Sequence, residues 1–182
     1  MKNFRDYAAL SGLISKISEA IPPDDQIKTL SELLVEQLDF TVGNAWAYAR
    51  TVLASHNAES AACISTNATK LTGNWLGMTQ SGVVSGYLDT TSYTWWFRPD
   101  LTFEYRRQRC SGYVSPFGSG GSAASSSGYA GVWAPGDASG NEFEVVTIDT
   151  DNVSRRLSVN WLDLAMPMPR SCRINGQDFA RQ

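Results

Sequence analysis

The stretch "YTWWFRPDLTFEYRRQR", residues 93–109, sets two runs of alternating aromatic and polar residues on either side of Pro99-Asp100-Leu101. Strand side chains alternate between two faces, so each run reads as a half-buried strand and the Pro-Asp pair reads as a turn. If Pro99-Asp100-Leu101 is a three-residue loop, a type I turn followed by a left-handed residue, then Arg98 pairs with Thr102. That register puts Phe97 opposite Phe103, Trp95 opposite Tyr105 and Tyr93 opposite Arg107. All of these share one face with Arg109, while Glu104, Arg106 and Gln108 take the other. A left-handed leucine at 101 costs about 1–2 kcal/mol, which the rest of the hairpin has to offset.

From Leu71 onward the chain consists of short runs rich in aromatic and β-branched residues, separated by turn residues. Strands are expected near 71–79, 82–88, 91–98, 102–113, 128–134, 142–149, 153–161 and 171–180. Eight such runs suit an antiparallel up-and-down barrel, in which closure removes exposed edges. The run "YVSPFGSGGSAASSSGYAGVW", residues 113–133, interrupts them with Ser, Gly and Ala. Four strands on either side would make poor independent domains. Residues 114–127 are therefore read as a loop at one mouth of the barrel, not as a linker between domains.

Before about residue 60 the apolar period is helical. Tyr7, Leu10, Ile14, Ile17 and Ile21 form one stripe, ended by the prolines at 22 and 23. Asp24 or Asp25 is placed to cap a second helix carrying Ile27, Leu30, Leu34 and Leu38 on one side. A third helix, from Thr41 to about Ala58, has Val42, Trp46, Ala49 and Leu53 on one face. The fold class is α+β: a helical extension at 1–65 that packs on or caps the barrel, then an eight-stranded barrel at 70–182.

Composition excludes several functions. The 182 residues are 42% hydrophobic and 18% charged, with a formal net charge of −3, so the chain is globular and lacks the basic excess a nucleic-acid footprint needs. No stretch approaches the ~18 apolar residues of a membrane span, and no signal-peptide core is seen at the start. A cytoplasmic protein is expected, with Cys63, Cys110 and Cys172 as free thiols. With His56 as the single histidine and the cysteines far apart, no metal site and no cofactor are expected. The Ser/Gly run lacks the order of a phosphate-cradling loop.

"LTGNW" at 71–75, "FRPDLTFEY" at 97–105, "GYAGVW" at 128–133 and "CRINGQDFAR" at 172–181 resemble the lipocalin-like branch of the calycin superfamily, in a bacterial form with an N-terminal helical extension. The resemblance implies a barrel that opens on a Gly-x-Trp strand and closes near an arginine packed over that tryptophan. Gly73 and Trp75 match the opening; Arg181, or failing that Arg173, matches the close. Secreted lipocalins carry a signal peptide and often a disulfide, and neither is read here.

Two arginines on a face with Tyr93, Trp95 and Tyr105 need a counter-charge if that face is interior. By parity Arg155 shares a face with Leu157, Val159 and Trp161. Either a ligand supplies the counter-charge, or carboxylates of the chain do, or a one-residue shift returns the arginines to water. The expected function is binding of a small hydrophobic or amphipathic ligand with an anionic or carbonyl group, held by Tyr93, Trp95, Tyr105, Arg107, Arg109 and Arg155. Barrels resembling this one also serve as cofactor-free cyclases or isomerases of natural-product biosynthesis, the one enzymatic reading considered, with no catalytic residue identified. A third reading is a filled barrel acting as an interaction module, which leaves open a homodimer through the N-terminal helices.

Overall fold

The computed structural model describes residues 10–57, 67–84, 87–115, 118–139, 141–163 and 168–182. Among the described residues three helices, α1 (Leu10–Ala20), α2 (Pro23–Leu38) and α3 (Val42–Asn57), and a short helical turn at 67–71 precede eight strands. These are β1 (Gly73–Val84), β2 (Tyr87–Phe97), β3 (Thr102–Ser115), β4 (Gly118–Ser139), β5 (Glu142–Asp149), β6 (Ser154–Trp161), β7 (Ser171–Ile174) and β8 (Gln177–Arg181). The strands form a closed antiparallel barrel in sequence order, with β8 returning to β1. No described helix is long and apolar enough to cross a membrane. The side chain of His56, and all of Cys63 and Tyr7, lie outside the described residues.

The helical stripes on α1 and α2 bury Leu10, Ile14, Ile17, Leu30, Leu34 and Leu38 as their periodicity requires. Pro22, rather than Asp24 or Asp25, is the N-cap of α2; the two aspartates fall in its first turn, where the helix dipole favours them. On α3 the buried stripe is Ala45, Tyr48, Ala49, Val52 and Leu53, whereas Val42 and Trp46 are exposed. The face predicted from Val42 and Trp46 is thus rotated: the smaller residues let α3 lie close on the barrel. They meet Val132, Ala134 and Ile148, which point outward from β4 and β5. Tyr48 donates its hydroxyl to the Trp133 carbonyl at 3.1 Å, and Asn152 holds the α2–α3 junction by accepting from Thr41 N and donating to Asp39 O. The helices therefore cover the outer wall at β4 and β5.

The decisive hairpin has the expected register: Phe97 pairs with Phe103, Trp95 with Tyr105 and Tyr93 with Arg107. Leu101 has φ 64°, and Arg98 N donates to Thr102 O at 2.9 Å. The Asp100 carboxylate accepts from Thr102 N (3.0 Å) and Thr102 Oγ1 (2.6 Å). Leu101 packs against both the helical and the barrel cores, which offsets its backbone cost.

Three strand boundaries differ from expectation. The Ser/Gly/Ala run is not a loop: β3 extends to Ser115 and β4 begins at Gly118, with Arg109 opposite Ser125 and Arg107 opposite Ser127. These residues have weak strand preference of their own, but a long partner strand satisfies their backbone groups and overrides it. The runs near 71–79 and 82–88 merge into β1 and the start of β2. The run at 171–180 is itself a hairpin, turned by Asn175 (φ 49°) and Gly176 (φ 83°); positive φ at both central residues is the type I′ signature of Asn-Gly. The strand number survives because one merger and one split cancel.

Inside the barrel, Trp75, Phe97, Phe103, Trp133, Phe143, Trp161 and Phe179 pack with aliphatic residues from β5 to β7. Trp75 donates Nε1–H to Leu71 O at 2.7 Å. The Arg181 guanidinium sits 4.7 Å over the Trp75 ring and donates to Lys70 O. Arg181 is thus the closing arginine, while Arg173 pairs with Asp178 at 2.6 Å. Strand lengths are unequal. Among the described residues β8 pairs with β1 only at Trp75 and Leu76, and β5 pairs with β4 only from Gly131 onward. Beyond those points β1 to β4 stand alone as a four-stranded sheet above the barrel.

Candidate functional site

The inward face of that sheet continues the barrel interior upward. Trp95 is 5% exposed and stacks on Phe97 with ring centroids 5.4 Å apart. Above it, Tyr105 lies 4.6 Å and Tyr129 6.0 Å from the Trp95 ring, and the two tyrosines are 4.7 Å apart. Tyr93 flanks them, with the Arg107 guanidinium 5.8 Å from its ring. The three tyrosines are half-buried, so the shelf is reached from the mouth.

The three arginines singled out from sequence lie on this face but differ in their partners. Arg109 is tied to Asp89 at 2.6 Å, and the Asp89 contact raises its already high pKa. Arg155 lies 4.1 Å from the Tyr129 ring and pairs with Asp149 at 2.6 Å. Asp149 is buried and also accepts from Asp151 N (3.0 Å) and Val153 N (2.9 Å), which orders the β5–β6 turn. Arg107, by contrast, is exposed and makes no ion pair among the described residues. Internal carboxylates therefore neutralise two of the three cations and leave Arg107.

The phenols are also uncommitted: among the described residues the hydroxyls of Tyr93, Tyr105 and Tyr129 make no hydrogen bond. Burial pushes the Tyr129 hydroxyl up to about 12, against a lowering by Arg155. Burial and the neighbouring Tyr93 likewise raise Tyr105, opposed by Arg107. Both hydroxyls are protonated donors at neutral pH. Chemically, the mouth offers an aromatic shelf, neutral O–H donors and, in Arg107, a cation without a carboxylate partner among the described residues.

Tyr129, Asp149 and Asp89 were missed from sequence. Placing Tyr129 beside Tyr105 requires the β3–β4 register: the flanks 102–113 and 128–133 read as two sides of a long hairpin, but a loop at 114–127 leaves their register open. Asp89 shares the parity of Tyr93, a signal present in "YLDTTSY". Among the described residues no group of three or more His, Cys, Asp or Glu side chains could hold a metal ion.

A second concavity, of about 1050 Å³, lies on the opposite face of the same sheet. Trp96, Glu104 and Arg106 line it, from the outward parity of β2 and β3. Trp96 is 46% exposed, with the Arg98 guanidinium 3.9 Å from its ring. Gly128 of β4 also lines it, and a Cβ there would stand 2.5 Å from Tyr105 O; only glycine lets the strands approach so closely.

No family model, no curated protein and no solved structure matches the chain.

Proposed function

We propose that the chain is a lipocalin-like binding protein of calycin type, whose barrel mouth takes a small amphipathic molecule bearing an anionic or carbonyl group. The apolar body rests on the shelf of Trp95, Tyr105 and Tyr129, and the polar head meets Arg107 and the phenolic hydroxyls. One observation carries this reading: among the described residues Arg107 makes no ion pair and the three tyrosine hydroxyls beside it make no hydrogen bond, while Arg109 and Arg155 are neutralised by Asp89 and Asp149. Arg109, tied to Asp89, then shapes the rim and Arg155 holds Tyr129, so the three arginines divide into one ligand cation and two supporting ones. A carboxylate accepting from a guanidinium gains a charge-assisted, often bidentate pair.

The test is a fluorescence titration with aromatic monocarboxylates and fatty acids, alongside their methyl esters. The carboxylates should quench Trp95 saturably and bind more tightly than the esters. Arg107→Ala should weaken carboxylate binding by about 10- to 150-fold, the equivalent of about 1.5–3 kcal/mol for a hydrogen bond to a charged group. Arg109→Ala should change it little. A flat response to every carboxylate, or undiminished binding by folded Arg107→Ala, refutes the proposal.

A further inference from the structure

The outward groove has a chemistry unlike that of the mouth. Asn74 lies beside Trp96 across β1 and β2, and Ser92, Gln108 and Ser126 lie side by side across β2, β3 and β4. Thr94 stands between these rows on β2. Among the described residues, the side chains of Asn74, Ser92, Thr94, Gln108 and Ser126 make no internal hydrogen bond. All five line the groove with Trp96. Each hydroxyl or amide offers both a donor and an acceptor.

The charges of the groove are already spent. Glu104 accepts from Arg98 at 3.1 Å and from Arg106 at 2.5 Å, and Asp151 lies at the rim. The surface therefore offers an anionic ligand no cluster of unpaired cations among the described residues. It pairs a half-exposed indole, whose ring also carries the Arg98 guanidinium at 3.9 Å, with neutral groups that each donate and accept. A ligand suited to it needs an apolar, polarised C–H face for the ring and a periphery of groups that also donate and accept. Fatty chains lack the second feature, and anionic polymers waste the neutral lining. A pyranose has both, since its axial C–H bonds form one face and its hydroxyls the rim.

We infer that this groove is a binding site for a neutral oligosaccharide, with Trp96 as the stacking platform and the Asn74, Thr94 and Gln108 side chains reading hydroxyls. At about 1050 Å³ it exceeds the upper range of ordinary small-ligand pockets, about 1,000 Å³, so it takes more than one sugar ring. The short side chains of β4 keep its far side open. Asn74, Thr94, Trp96 and Gln108 leave the sheet on the face opposite the mouth, because alternate residues serve each face, while Tyr105 and Tyr129 of the shelf also border the groove at β3 and β4.

The experiment titrates the ¹⁵N-labelled full chain with glucose, mannose, xylose and N-acetylglucosamine oligomers, with oligogalacturonate and an uncharged extended peptide as comparisons. At least one neutral series should shift the Trp96 indole N–H signal and the Thr94 and Gln108 amides. Trp96→Ala should then weaken binding about 10-fold or more, as truncation of an aromatic anchor does, while Trp96→Tyr retains most of it. Trp96→Ala should leave carboxylate binding at the mouth unchanged, so failure of either site is visible separately. If Trp96→Ala does not fold, the Asn74→Ala/Gln108→Ala pair replaces it with the same expectation. Absence of shifts with every neutral series at millimolar concentration overturns the inference. So does binding confined to oligogalacturonate or the peptide, or sugar affinity untouched by the variants.

Discussion

Gly131 is the sharpest place to perturb this fold. It sits where β4 last pairs with β5, opposite Asp149. A Cβ there would stand 2.7 Å from Asp149 Cα and 2.9 Å from the Ile148 carbonyl carbon, with the Ile148 oxygen nearer still. These are backbone atoms, so no rotamer change relieves the contact and the two strands must separate. Overpacking costs about 1–3 kcal/mol, and a clash confined to backbone belongs at the upper end, about 3 kcal/mol. Gly43→Ala is the matched control: Gly43 lies in α3 with nothing within 4 Å of its missing Cβ. The same added methyl there should stabilise by about 0.5–1 kcal/mol. For a chain of this size each kcal/mol moves Tm by about 2–4 °C. Gly131→Ala should thus lower Tm by about 6–12 °C, and Gly43→Ala should raise it by about 1–4 °C. Urea melts and calorimetry on both variants give the comparison. Shifts of the same sign, or a Gly131→Ala protein within about 1 kcal/mol of the parent, would show that the close approach of β4 and β5 is misjudged.

Other parts of the structure make equally direct predictions. Tyr48→Phe removes the hydroxyl that ties α3 to the Trp133 carbonyl and should cost about 1–3 kcal/mol in a urea melt, with the slope unchanged. Cys110 is exposed, whereas Cys172 is buried with its thiol pushed up to about 12 by burial. Iodoacetamide at neutral pH should therefore label the Cys110 peptide in native protein and the Cys172 peptide only after denaturation, as mass spectrometry would reveal. Burial also raises the Tyr129 and Tyr48 hydroxyls. Groups whose folded values are raised stabilise the protein fully below their unfolded values and lose that contribution as pH rises through the folded ones. For Cys172 the window runs from 9.0 to about 12, and the urea midpoint should fall through it; a flat or rising midpoint would contradict the assigned burial.

The hairpin at 93–109 was legible because both of its strands alternate aromatic and polar residues, and that alternation sets face and register before any coordinates exist. The inward parity of Arg107, Arg109 and Arg155 was legible for the same reason. The Ser/Gly/Ala run was not, since small residues carry no alternating apolar signal; it is a strand only because β3 pairs with it. On α3 half of the expected stripe, Ala49 and Leu53, is buried, but Trp46, a core residue by size, is exposed and Tyr48, which reaches the Trp133 carbonyl, is buried instead.

The sequence by itself therefore determined the helix-then-barrel order, the turn at Leu101 and the residues sharing each face, all of which follow from local period and turn chemistry. Tertiary structure alone decided which arginines find carboxylates, because Asp149 reaches Arg155 only across the β5–β6 turn and Asp89 reaches Arg109 only across β2 and β3. It also decided that the outer face is concave. It decided, too, how closely β4 lies against β3 at Gly128 and against β5 at Gly131, distances that no linear pattern encodes.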